Sequence, residues 1–251
     1  MVFLNGNPIG QTGQFEPRFQ PLHGKLRLYA VPPNLLRFQG ENILAIRIWH
    51  APLPYSLVGG FAKSGIALGD FEQFKDKMFL GDLWQLTISA LILFVGLFHL
   101  PFYLRRKRAK EYLFFFLLCL CIGVYGLARS QLRFRLPEGI LLWQHLQYLS
   151  CFPAPVLALE YVLHLFERKR PFFIGTLEAL ALSITAIALV ARNLYIDSAL
   201  LVPFYLVTLA QAIYLLHILF AEASKGKQEA RLLWIGIGIF ALAGLNDAMV
   251  T

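Results

Sequence analysis

The sequence predicts an α-helical polytopic membrane protein, with a small N-terminal β-domain outside the membrane and six hydrophobic helices crossing the bilayer. Three observations lead there. Hydrophobic residues make up 57% of the 251 and charged residues only 15%, against roughly 45–50% and about 25% in soluble domains. From Leu83 onward apolar runs of membrane-spanning length follow one another. Lysine and arginine alternate from loop to loop between those runs.

Residues 1–78 carry the alternation and turn signals of β-structure. Val2-Phe3-Leu4 is a β-prone run, and Asn5-Gly6 after it suits a tight hairpin whose two central residues need positive φ. Leu26–Val31 is a second expected strand, stopped by Pro32-Pro33. Gly40-Glu41-Asn42 is a turn, and Ile43–Trp49 is the strongest strand, with Leu44, Ile46 and Ile48 on one face. No run in this region is long or apolar enough to span a bilayer.

Six runs then follow: Leu83–Leu104, Tyr112–Ala128, Ile140–Phe166, Phe172–Ala191, Ala199–Ala221 and Leu232–Val250. Crossing about 30 Å of hydrocarbon takes about 20 helical residues. Helix is the expected geometry, because lipid offers no partner to an open backbone group. Pro153 and Pro155 predict a kink in the third helix, either hinge or static bend. Pro203 falls in the first turn of the fifth, where proline is harmless. Gly236, Gly238 and Gly244 offer close helix approach in the sixth. Cys119, Cys121 and Cys151 all lie in apolar runs without metal spacing and read as small core residues.

The net charge of +8 is distributed by loop. The first, third and fifth loops hold Arg105, Arg106, Lys107, Arg108, Lys110, Arg168, Lys169, Arg170, Lys225, Lys227 and Arg231, while the second and fourth hold Arg129, Arg133, Arg135 and Arg192. Basic short loops stay cytoplasmic, so the β-domain is expected outside. The Arg105–Arg108 run is a topology anchor beside anionic headgroups, and no nucleic-acid motif accompanies it. The chain starts inside a strand with no signal-peptide pattern and stops after the sixth run. We therefore expect truncation at both ends, the alternative at the start being that the first membrane helix directs export.

Ionisable groups inside a membrane are costly and are functional candidates by default. Glu160 and His164, spaced i,i+4 on one face, Glu178, and His99 and His217 form a candidate signal-relay layer at the basic end. Two readings stand: a polar network that differs between two signalling states, or static bonds and snorkelling side chains. Gln144 and His145 with Asn246 and Asp247 form a candidate outer ligand-binding layer. Asp247 could line a pocket, pair with Arg129 or reach headgroup water. Trp49, with Arg47, His50 and Tyr55, is a candidate sugar platform or a packing element. No residue pattern points to a metal or a cofactor, or to a catalytic constellation.

The membrane region resembles the seven-helix module of bacterial 7TM receptors with diverse intracellular signalling modules (7TMR-DISM). The matching stretches are Glu111-Tyr112-Leu113-Phe114-Phe115-Phe116, Tyr148-Leu149 with Pro153, and Gly244-Leu245-Asn246-Asp247. Six of the seven helices are then present. Asn5-Gly6-Asn7-Pro8-Ile9-Gly10 and the run from Gly40-Glu41-Asn42 to Ile48 are similar to the later half of a galactose-binding-like jelly roll, whose earlier strands are missing. The resemblance implies a receptor whose seventh helix leads into a cytoplasmic kinase, cyclase or phosphatase that this chain lacks, so no enzymatic activity is implied for it. Expected partners are membrane lipid, an extracytoplasmic ligand for which carbohydrate is one candidate, a signalling domain in cis, and a second copy in a homodimer. The alternative function is a small-solute transporter or channel, which predicts inverted repeats and broken helices at the midplane.

Overall fold

The structure, a computed structural model, describes residues 1–13, 24–48, 66–134, 140–191 and 194–237. The N-terminal part holds a three-stranded antiparallel sheet of β1 (Val2–Leu4), β2 (Asn7–Gly10) and β3 (Leu44–Ile46), with β1 in the centre. Asn5 and Gly6 take φ of 50° and 86°, as the hairpin requires. Asn5 also joins the two ends of the sheet: Ile43 N donates to its Oδ1 at 2.9 Å, and its Nδ2 donates to Leu35 O at 2.8 Å and Asn42 Oδ1 at 2.9 Å. Leu44 and Ile46 turn inward while Ala45 is exposed. Leu26–Val31 forms no strand. Instead Tyr29 lies against Gly10 and hydrogen-bonds Thr12 through its hydroxyl, and Leu26 N donates to Gln131 Oε1 at 3.2 Å. That segment packs on the end of β2 through Tyr29 and reaches the membrane region through Leu26.

Helix α1 (Phe71–Arg105) is 35 residues long and begins twelve residues before the apolar run. Asp70 caps it by accepting from Gln73 N at 2.8 Å. Its first turns carry Glu72, Lys75, Asp76, Lys77 and Asp82, so they suit water, and the helix extends beyond the hydrocarbon. Helix α2 (Lys110–Arg129) follows. The third run divides into α3 (Ile140–Cys151) and α4 (Ala154–Leu165), separated by a turn at Phe152-Pro153. Proline at 153 and 155 removes two backbone donors, so the expected kink becomes a break. Helix α5 (Phe172–Ala191) coincides with the fourth run. A short α6 (Leu194–Ala199) leads into α7 (Leu201–Ser224), and α8 begins at residues 228–237.

Five described helical segments are long and apolar enough to cross a membrane: Phe71–Arg105, Lys110–Arg129, Leu142–Leu165, Phe172–Ala191 and Leu201–Ser224. Their outer faces expose Phe94, Phe98, Val190, Val202, Leu209 and Phe220, which suits lipid.

Helix α1 packs almost entirely on α2. The seam is built from small residues: a side chain on Gly96 would meet Cys119 Cβ at 2.6 Å, one on Gly123 would collide with Leu93, and one on Gly126 with Ser89. Gln85 Nε2 donates across it to Gly126 O at 3.0 Å. Small residues let backbones approach where no hydrophobic force drives helices together. At Gly236, expected to serve that purpose, a side chain would meet no atom of the described residues within 4 Å; Gly238 and Gly244 lie outside the described residues. Gly123→Val is expected to cost about 1–3 kcal/mol by overpacking. Gly81→Ala, which meets nothing within 4 Å, is expected to cost nothing. Thermal unfolding in detergent of the two variants against wild type measures the difference.

Candidate functional site

Helices α4, α5 and α7 pack in layers. Furthest from the basic loops, Phe152, Ile184, Ala188 and Phe204 form a buried cluster, and the next is Val156, Ala181 and Val207. One turn further toward the basic loops each helix places a buried polar residue: Glu160 four residues after Val156, Glu178 three before Ala181, Gln211 four after Val207. Glu160 and Glu178 are each 4% exposed and Gln211 1%. Beyond them the core turns apolar again, with Leu163, Ile174, Ile218 and Leu219.

Arginine completes the polar layer. Arg170 Nη2 donates to Glu160 Oε1, and its Nε lies 3.2 Å from Glu178 Oε2. His164 Nδ1 bonds the Glu160 backbone carbonyl at 2.9 Å, which places a proton on that nitrogen, and sits 3.3 Å from Glu160 Oε2. Glu160, His164 and Glu178 therefore meet. His99 and His217 do not join them. His99 faces α2, with its ring 4.5 Å from Phe115 and its Nδ1 bonded to Val95 O. His217 stacks near Tyr214.

A second knot sits at the end of α7. Glu222, 2% exposed, receives Arg168 Nε at 2.8 Å, Lys225 Nζ at 2.9 Å and Lys227 Nζ at 2.9 Å. Two helix ends aim these cations. After α7, Gly226 at φ 87° lets Lys227 N reach back to Glu222 O and Gly226 N to Ala223 O. After α4, Glu167 at φ 52° does the same job: Arg168 N bonds Leu163 O at 2.8 Å and Glu167 N bonds His164 O. Both are the left-handed termini that favour glycine. A cleft of ≈ 450 Å³ opens beside the α4 end, lined by Arg108, Glu111, His164, Glu167 and Arg168.

At the end away from the basic loops His145 Nδ1 bonds Asp197 Oδ2 at 2.8 Å, with Asp197 fully buried. Gln144 Oε1, His145 Nε2 and Asp197 Oδ1 have no hydrogen-bond partner among the described residues. Burial pushes the Asp197 carboxyl above its usual range, and the His145 hydrogen bond pulls it back. Arg129 bonds Tyr125 OH at 3.0 Å. Asn246, Asp247, Trp49, His50 and Tyr55 lie outside the described residues. Among those described, no group of three or more His, Cys, Asp or Glu could hold a metal ion.

Sequence reasoning passed over Arg168, Arg170, Asp197 and Glu222. In the sequence the two arginines carry only a topology signal, and Asp197 sits between apolar runs where hydropathy has no voice. Glu222 lies one residue beyond the fifth run. An acidic residue abutting a basic loop was the available signal.

Two outcomes follow from this geometry. Glu167→Gly is expected to raise stability by about 1 kcal/mol, because it relieves a left-handed backbone on a side-chain-bearing residue, as read by thermal unfolding. For Asp197, a raised carboxyl favours the folded state only while protonated, so its contribution is lost as pH rises through that value. His145→Ala removes the opposing pull. The stability gap between this variant and wild type should therefore widen from acid to neutral pH.

Residues 81–251 match the family described as 7TM diverse intracellular signalling. Neither the curated proteins nor the solved structures compared with the chain contain a match. The family match covers more than half of the sequence and falls on the apolar helices: the chain is a multi-pass membrane protein and belongs to the 7TMR-DISM family of transmembrane sensory domains.

Proposed function

We propose that the chain is the sensor and relay region of a bacterial inner-membrane receptor, with the β-domain outside and the basic loops in the cytoplasm. An extracytoplasmic signal biases the packing of the helices, and a cytoplasmic effector in cis reads that bias. The observation that carries this reading is the family assignment of residues 81–251. Two features of the geometry support it. The β-domain touches the membrane region through Leu26 and Gln131, and Gln131 N in turn donates to Asp82 Oδ1 on α1 at 2.8 Å. A change in the β-domain thus has a physical path into α1 and α2. At the other end, three acidic side chains on three helices are held by loop cations, an arrangement whose partners can exchange between two packings. A ligand moves such an equilibrium only by binding the two packings with different affinity.

Orientation and relay can be tested separately. In intact cells, a membrane-impermeant thiol reagent should label Asn7→Cys and spare Arg108→Cys in a background without the native cysteines; the reverse pattern overturns the orientation. In a receptor carrying its effector, Asp82→Ala should leave membrane insertion unchanged and reduce the response to stimulus several-fold. An unchanged response removes the Gln131–Asp82 path from the mechanism.

A further inference from the structure

The polar layer between α4, α5 and α7 does not balance its own charge. Two carboxylates, Glu160 and Glu178, share the single guanidinium of Arg170. With the imidazole of His164, 3.3 Å from Glu160 Oε2, in its neutral form, that leaves one negative charge in a layer bounded on both sides by apolar clusters. Within a bilayer such a charge is paired, neutralised or bound to a cation. The other charged groups nearby are already engaged. Arg168, Lys225 and Lys227 hold Glu222, and His164 gives its Nδ1 proton to a backbone carbonyl. Arg108, Glu111 and Glu167 line the adjoining cleft, where the one further cation faces two further carboxylates.

The hydrogen-bond inventory points to the same place independently. Glu178 Oε1 has no partner among the described residues, and neither does either amide atom of Gln211, nor Thr208 Oγ1 one turn away on α7. Gln211 belongs to the same layer, by its step from Val207, and it is 1% exposed. Buried amides without partners are rare and ask for an occupant. The unsatisfied oxygens of Glu178, Gln211 and Thr208 are hard acceptors of the kind that bind small cations.

We propose that this layer is a binding site for one exchangeable monovalent cation, a sodium ion or a proton, held between Glu178 and Gln211 and neutralising the surplus carboxylate. Access runs from the basic end: His164 lines the ≈ 450 Å³ cleft and touches Glu160 at 3.3 Å. Occupancy joins α5 to α7, and vacancy leaves the carboxylate of Glu178 and the polar atoms of Gln211 and Thr208 unsatisfied. The site makes the packing of the bundle depend on the ionic state of the compartment beside the basic loops. This goes beyond the sensor reading and stands or falls without it, since binding is measured on the isolated chain.

The test is thermal unfolding of the whole chain in lipid nanodiscs, with sodium chloride exchanged for choline chloride at constant ionic strength, and with pH varied at constant sodium. The wild-type melting temperature is expected to rise saturably by roughly 5 °C with the cation. Glu178→Gln, an isosteric neutral change, should abolish that rise, and Gln211→Leu should shift its midpoint by about tenfold. A rise with sodium at fixed alkaline pH identifies the ion as sodium. A rise only on acidification, with an infrared band of a protonated carboxyl that Glu178→Gln removes, identifies it as a proton. A wild-type melting temperature indifferent to both, or a Glu178→Gln or Gln211→Leu protein with the wild-type response, overturns the site.

Discussion

Hydrocarbon does not solvate charge, and the half of the bundle nearest the basic loops is arranged around that fact. Glu160, Glu178 and Glu222 are almost fully buried, each on a different helix, and none reaches its cation within its own helix interior. The cations come from the loops: Arg168 and Arg170 between α4 and α5, Lys225 and Lys227 after α7. Removing one member of such a set strands its partner, which costs more than the pair contributes. The loops are thereby held against the bundle, and the helix ends are shaped to hold them. Gly226 and Glu167 turn the chain back at the ends of α7 and α4 so that basic side chains face inward.

The two halves of the membrane region use different adhesives. Helices α1 and α2 meet along glycines, serine and cysteine, a seam of backbone proximity with Gln85 bonded across it. Helices α4, α5 and α7 meet through alternating apolar and polar layers. Packing against a small-residue seam is tight and tolerates little change. Charged layers can trade partners at modest cost when an occupant or a proton arrives. The contrast assigns rigidity to one part and adjustability to the other.

Hydropathy made the membrane helices legible, because lipid exposure imposes it residue by residue; Phe172–Ala191 coincides with its run. The start of α1 was hidden for the same reason. Residues 71–82 are polar, so a reading tuned to lipid stopped at Leu83 although a capped helix continues into water. The hairpin at Asn5-Gly6 was readable from backbone chemistry alone. Leu26–Val31 was not, since its pairing depends on a tertiary neighbour, Gln131, that local pattern does not contain. Among site residues, spacing brought Glu160 and His164 to one face, and Glu178 was reached by its depth. His99 and His217 shared depth but not direction, which depends on which helices are neighbours. Arg170 was invisible as a partner because loops have no periodicity to extrapolate, and Glu222 because its cations come from such loops.

Helix α1 has a mechanical consequence. It runs for 35 residues, roughly 52 Å at 1.5 Å per residue, and its one internal proline, Pro101, falls close to its end at Arg105, so the thirty residues before it form a lever of roughly 45 Å. A rod of that span acts as a lever: tilting it by about 5° displaces one tip relative to the other by roughly 4–5 Å. That is close to one helical turn. A small reorientation at the Phe71 end would therefore arrive at the opposite end as a step large enough to change which side chains meet.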